Sequence, residues 1–107
     1  MDTRKAFGAA LTAAKESKEL SFADFGTRRT YVQCLTKGKY TPTVDKLFEI
    51  AEVLDVNPVS LMIETYLILN ANTSFEDLIS DIRSEREVFK VSTFHPDEMR
   101  KKSTDKV

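Results

Sequence analysis

The sequence predicts an all-α fold in which five helices form one domain and an additional C-terminal helix follows them. Apolar residues recur at helical spacing in successive segments, whereas no segment shows the alternation typical of a strand. Residues that cap or break helices separate these segments, and 107 residues suit one domain with a modest extension. We expect a domain over residues 1–68, a helical extension over 69–92 as a candidate dimerisation element, and a flexible polar tail over 93–107.

The first predicted helix runs over about residues 3–17, because Phe7 and Leu11 begin an apolar stripe with the spacing of one buried helix face. A very short second helix is predicted over residues 22–25. Gly26 either ends this second helix or forms the turn that follows it.

Four further helices are predicted over about residues 28–36, 43–54, 58–69 and 74–90. Gly38 is expected to end the third helix with a left-handed residue. The residues expected to face inward from the third and fourth helices are Val32, Leu35, Leu47, Ile50, Ala51 and Leu54. The fifth helix has Leu61, Met62, Ile63 and Tyr66 among its apolar residues.

Positive charge is concentrated in the first part of the chain, although the formal net charge is −1. Residues 1–46 hold nine basic and five acidic side chains, whereas residues 47–107 hold seven basic and twelve acidic ones. Residues 25–44 contain Arg28, Arg29, Lys37 and Lys39 and no acidic side chain. Such a segment is either a solvated helix surface or a local anion-binding surface.

The composition disfavours several classes of function. One cysteine and one histidine exclude an internal disulfide and a zinc or histidine cluster within one chain, and no glycine loop for phosphate is present. We therefore expect that the protein is not an enzyme and that it binds no cofactor, no metal and no small-molecule ligand. No apolar run is long enough to span a membrane and no secretory signal is visible, so a cytoplasmic location is expected. Cys34 has two interpretations, a packed side chain or a redox-sensitive group.

A sequence pattern over about residues 5–62 resembles the Cro/repressor-type (Xre) helix-turn-helix family. The pattern has a polar helix, a Gly-Lys pair, a proline and then apolar residues at fixed spacing. Its members here are Gly38, Lys39, Pro42, Leu47, Ile50, Ala51, Leu54, Val56 and Leu61. The resemblance implies a lambda-repressor-like helix-turn-helix domain that binds duplex DNA.

One part of the chain departs from that family. Phe22 stands where the family usually has a glutamine early in its second helix, and the segment before Arg29 is shorter than usual. A second alignment keeps Gly26 as the turn glycine and places the deletion between the first two helices.

The resemblance and the side-chain chemistry together suggest roles for two sets of residues in DNA binding. Arginine, threonine and glutamine are side chains that recognise base edges in the major groove, and the candidates are Arg29, Thr30 and Gln33. Candidates for contacts with the sugar-phosphate backbone are Arg28, Lys37, Lys39, Tyr40 and Thr41.

We therefore expect a sequence-specific transcriptional regulator, a repressor that binds a two-fold operator as a homodimer. Residues expected at the dimer interface are Ile63, Leu67, Leu69, Phe75, Leu78, Ile79 and Ile82. The apolar stripe of the last helix has a second interpretation, which is packing within the same chain. The alternative function is a protein-interaction adaptor or anti-regulator that uses the same fold.

Overall fold

The structure, a computed structural model, describes residues 1–89 and is all-helical over that range, with no strand. Residues 1–89 form five α-helices and one 3-10 helix. They are α1 (Thr3–Ser17), the 3-10 helix (Phe22–Arg28), α2 (Arg29–Thr36), α3 (Val44–Leu54), α4 (Pro58–Leu69) and α5 (Phe75–Phe89). Each α-helix lies within one residue of its predicted bounds. The predicted tail over 93–107 lies outside the described residues.

The chain divides into two units, Met1–Asn72 and a second that begins at Thr73. The first unit contains α1 to α4 and the 3-10 helix, and the described part of the second contains α5. Ser74 caps α5, since its hydroxyl oxygen accepts a hydrogen bond from the Asp77 N–H at 3.1 Å. No helix within residues 1–89 has both the length and the apolar character needed to cross a bilayer.

Side-chain caps determine where three helices of the first unit begin. Asp2 and Thr43 each accept a hydrogen bond from the backbone N–H three residues later, at 2.9 and 3.2 Å. Asn57 accepts from the N–H two residues later at 2.9 Å, and Pro58 occupies the first turn of α4. These contacts satisfy N–H groups that have no partner within their own helix.

The second helix differs from its prediction in type and length. A 3-10 helix continues through Arg28 instead of an α-helix ending at residue 25. Gly26 lies inside it with φ 58° and ψ −126°, a conformation essentially restricted to glycine, and it kinks the segment. Asp24 stabilises the start, since its carboxylate accepts from the Ser21 N–H at 2.7 Å. The Lys15 ammonium lies 4.7 Å from the centre of the Phe22 ring and joins this segment to α1.

The core of the first unit lies where α1 packs against α2 and α4, and where α3 packs against α4 and the 3-10 helix. The predicted inward residues of α1, α2 and α3 are confirmed as part of it. Its buried members are Phe7, Leu11, Phe25, Val32, Leu35, Leu47, Ile50, Ala51, Leu54 and Leu61.

Gly8 marks the closest approach between two helices of this core. A Cβ atom at position 8 would lie 2.7 Å from the backbone oxygen of Leu35 and 2.8 Å from that of Thr36. Both neighbours are backbone atoms, so no side-chain rotation relieves the overlap. The absence of a side chain at Gly8 therefore allows α1 to contact the C-terminal end of α2.

We expect Gly8→Ala to lower the free energy of unfolding by about 1–3 kcal/mol, because the added methyl group must displace backbone. Helix propensity alone predicts the opposite change, since it favours alanine over glycine by about 1 kcal/mol. Urea unfolding followed by circular dichroism measures the change.

The control is Ala9→Gly at the neighbouring exposed position. At position 9 the free energy of unfolding is expected to fall by about 1 kcal/mol from helix propensity alone. Glycine is therefore expected to be less stabilising than alanine at position 9 and more stabilising at position 8. A Gly8→Ala protein more stable than the wild type would contradict the close packing.

Candidate nucleic-acid interface

The side of α2 that faces away from the core holds the three side chains predicted to read bases. Val32 and Leu35 are fully buried and determine which side of the helix turns inward. Arg29 and Thr30 are exposed, and Gln33 is half-buried. Residues three and four apart are neighbours on a helix, so these three form one polar surface, which we call the α2 face. It offers guanidinium, hydroxyl and amide groups to a ligand.

A Schellman motif ends α2 and exposes two lysines. The N–H groups of Gly38 and Lys39 donate to carbonyls of α2 at 3.0 and 3.1 Å. Gly38 has φ 74°, as predicted for a left-handed residue at this end. Lys37 and Lys39 are both exposed, one on each side of the glycine. The two lysines therefore follow the α2 face at its C-terminal end, with Lys37 four residues after Gln33.

Lys5 is a cation at this surface that the sequence did not indicate. A Cβ atom at Gly38 would lie 3.0 Å from the Cγ atom of Lys5, so the stem of this exposed lysine runs beside the turn. Lys5 belongs to α1 and is far in sequence from Lys37 and Lys39. Their proximity follows from the contact at Gly8, one helical turn further along α1.

Arg28, predicted as a backbone contact, is joined to α3. Its Nε atom donates to Oε1 of Glu49 at 2.9 Å, and Nζ of Lys46 lies 3.6 Å from the same oxygen. The hydrogen bond from Arg28, followed by the charge of Lys46, holds the pKa of Glu49 below its usual range. Residues 25–44 contain no acidic side chain, but in the fold Glu49 of α3 lies beside this segment.

Tyr40, also predicted as a backbone contact, folds back onto α2. Its ring centre lies 5.6 Å from that of Tyr31 at an interplanar angle of 32°. Interaction with the neighbouring Cys34 side chain raises the pKa of the Tyr40 phenol above its usual value. Tyr40 is 41% exposed and Cys34 is half-buried, so both side chains keep part of their surface in solvent.

The residues predicted at a dimer interface fall on two helices. Phe75, Leu78, Ile79 and Ile82 belong to α5 in the second unit, whereas the remaining three belong to α4. Ile63 and Leu67 are half-buried, and Leu69 is exposed.

The exposed apolar residues of α4 form a stripe that includes Leu69. Val59, Met62 and Tyr66 precede it at spacings of three and four, which places all four on one side of the helix. Between 37% and 53% of each residue is accessible to solvent. We call this set the α4 stripe.

An open apolar groove of about 330 Å³ adjoins the α4 stripe. Phe7 of α1 and Leu47 of α3 contribute to its lining, and Met62, Tyr66 and Leu69 belong to both the groove and the stripe. Thr41, predicted as a backbone contact, and Pro42 line it from the loop that follows α2. The groove therefore lies between that loop and the exposed surface of α4.

Comparisons with known proteins give no match for this chain, whether with family models, with curated proteins or with solved structures. Among residues 1–89, no three acidic, histidine or cysteine side chains are grouped so as to hold a metal ion. The geometry of this surface is therefore the basis on which its function is inferred.

We predict that Arg28→Gln returns the pKa of the Glu49 carboxyl toward its usual range, because the first cause of its lowering is lost. A folded-state pKa below the unfolded value means that the ion pair stabilises the fold above the usual carboxyl pKa. That contribution is lost as the pH falls through the lowered value.

Titration of the Glu49 side-chain carbon by nuclear magnetic resonance (NMR) measures the shift. Arg29→Gln is the control, since it removes a neighbouring arginine that forms no ion pair within the described residues. Equal shifts of the Glu49 pKa in both variants would contradict a specific pair.

Proposed function

We propose that the protein is a sequence-specific DNA-binding transcriptional regulator whose domain over residues 1–68 is a lambda-repressor-like helix-turn-helix. The observation on which this depends most is the α2 face, where Arg29, Thr30 and Gln33 form one polar surface on the solvent side. A helix that displays such groups fits the major groove of B-DNA, where each base pair has its own pattern of donors and acceptors.

The three residues of the α2 face suit different base edges. The Arg29 guanidinium matches the two acceptors of guanine, and the Gln33 amide matches the donor and acceptor of adenine. Thr30 provides a hydroxyl group and a methyl group, and the methyl group suits contact with thymine. The proposed role of this surface is therefore recognition of sequence.

The cations around the α2 face suit contacts with phosphates. Lys37 and Lys39 lie at the turn that ends α2, and Lys5 of α1 runs beside that turn. Contacts with phosphates orient the protein on the duplex and provide affinity without reading the sequence. We extend the predicted set of backbone contacts to include Lys5.

Arg29→Ala is expected to relax specificity at one base pair and to cost about 1–3 kcal/mol of binding free energy on the preferred sequence. Lys39→Ala and Lys5→Ala are expected to weaken binding to all sequences alike, and each lowers the salt slope by about one.

Selection from a random duplex library gives the preferred site, and fluorescence anisotropy on that site and on a scrambled site separates the two effects. Glu64→Ala on the exposed side of α4 is the control. If Arg29→Ala and Lys39→Ala weakened both duplexes equally, the assignment of roles would be wrong.

The alternative, a protein-interaction adaptor or anti-regulator, is favoured by the open apolar groove beside α4. Titration of the protein with duplex DNA at two salt concentrations distinguishes the two functions. A regulator binds specifically with a steep salt slope, whereas an adaptor shows no binding at low salt, even nonspecific.

We further propose that the regulator is a homodimer whose subunits meet through the α4 stripe. Two-fold operators are matched by two-fold protein dimers, and an isologous interface uses the same patch on both subunits. The stripe is apolar, and Met62, Tyr66 and Leu69 border a groove that an apolar side chain of a second copy can enter. Of the residues first expected at the interface, Leu69 is the one that lies on this stripe.

Met62→Glu and Tyr66→Glu are expected to convert the dimer to a monomer, because each buries an unpaired carboxylate in an apolar interface. Light scattering at high micromolar concentration measures the mass. Ser60→Glu adds the same charge to another exposed side of α4 and is expected to leave the dimer intact. A wild-type protein that is monomeric at that concentration would overturn the dimer proposal.

A further inference from the structure

We propose that Glu49 is a positioning residue that orients the Arg28 guanidinium toward one DNA phosphate at the N-terminal end of α2. The inference rests on the proposed DNA-binding function and adds to it a residue that belongs to α3. Its basis is the geometry of the ion pair together with the place of Arg28 immediately before α2.

The hydrogen bond uses only one edge of the guanidinium. Arg28 donates from Nε to Glu49 Oε1 at 2.9 Å, and no group within residues 1–89 accepts from either of its Nη atoms. The two Nη atoms form the end of a planar fork, which matches the spacing of two phosphate oxygens. The carboxylate thus holds the side chain and leaves the phosphate-binding end available.

Arg28 is also accessible enough to meet a ligand without further movement. Its side chain is 39% exposed and that of Glu49 is 38% exposed, so both members of the pair are accessible to solvent. Arg28 directly precedes Arg29, the first residue of the α2 face. A phosphate bound by Arg28 would fix the position of the N-terminal end of α2, whereas the Lys37–Lys39 turn lies at its C-terminal end.

The location of Glu49 argues against a purely electrostatic role in binding. A carboxylate beside a phosphate-binding surface repels DNA, so its charge alone lowers affinity. Two cations offset part of that charge, since Lys46 Nζ lies 3.6 Å and Arg28 Nε lies 2.9 Å from Oε1 of Glu49. An arginine loses considerable rotamer freedom when it binds, and Glu49 has already restricted that freedom before DNA arrives.

The test compares two glutamates of α3 that differ in this contact. Glu49→Ala and Glu52→Ala remove the same charge from the same helix, and Glu52 is exposed with no ion pair in the described part of the chain. We expect Glu49→Ala to weaken binding to the selected duplex about three- to tenfold. This is the loss of affinity expected when one side chain is no longer ordered before it binds. Glu52→Ala is expected to leave binding unchanged or slightly stronger.

Two further variants separate positioning from a general structural effect. Glu49→Gln keeps an oxygen acceptor for Arg28 and is expected to retain most of the wild-type affinity. Arg28→Ala is expected to weaken binding and to lower the salt slope by about one, whereas Glu49→Ala keeps the wild-type slope because the number of cations is unchanged. The double variant Arg28→Ala/Glu49→Ala is expected to bind no more weakly than Arg28→Ala alone.

Fluorescence anisotropy with the selected duplex gives all affinities, each measured on protein shown to be folded by circular dichroism. If the wild type binds DNA but Glu49→Ala binds as tightly as Glu52→Ala, the inference is wrong and the proposed function stands. The same holds if the losses from Arg28→Ala and Glu49→Ala multiply in the double variant. If the wild type binds no duplex at low salt, the proposed function fails and the inference fails with it.

Discussion

The contact between Gly8 of α1 and the C-terminal end of α2 is the constraint on which the candidate surface depends. Backbone oxygens of Leu35 and Thr36 lie where a Cβ at position 8 would be, so the two helices are in contact without a side chain between them. With α2 held against α1 in this way, Val32 and Leu35 are fully buried in the core and the polar side of α2 faces outward. The same contact also places Lys5 beside the turn at Gly38.

Charge on the candidate surface is arranged by tertiary contacts more than by sequence. Residues 25–44 contain no acid, yet Glu49 reaches Arg28 from α3 and Lys46 shares the same carboxylate oxygen. On this surface, Arg29, Lys37, Lys39 and Lys5 form no ion pair within residues 1–89. The surface therefore combines several cations that form no ion pair in this range with one arginine, Arg28, that is restrained by Glu49.

The helices and most of the core could be predicted because they depend on local rules. Helical spacing and the caps Asp2, Thr43 and Asn57 determine the starts of α1, α3 and α4, and Gly38 determines how α2 ends. The short second helix was predicted to begin at residue 22, but its 3-10 type and its continuation through Arg28 were not, since a segment this short gives no periodicity. Its kink depends on the single conformation of Gly26.

Contacts between residues distant in sequence account for the rest of what was missed. Nothing near Lys5 indicates that it meets the Gly38 turn, and Arg28 and Glu49 are separated by 21 positions. The exposure of Met62 and Tyr66 could not be predicted either. Apolar residues occupy most positions of α4, so its sequence does not indicate which side of the helix faces the core.

The central claim is that the α2 face and its flanking cations are the surface that meets DNA. Its most direct test is a backbone amide NMR spectrum of the protein recorded during titration with a mixed-sequence duplex at low salt. We expect shifts concentrated at Arg29, Thr30, Gln33 and the Lys37–Lys39 turn, together with Lys5 on α1. Shifts confined to the α4 stripe, or a spectrum unchanged by DNA, would contradict it.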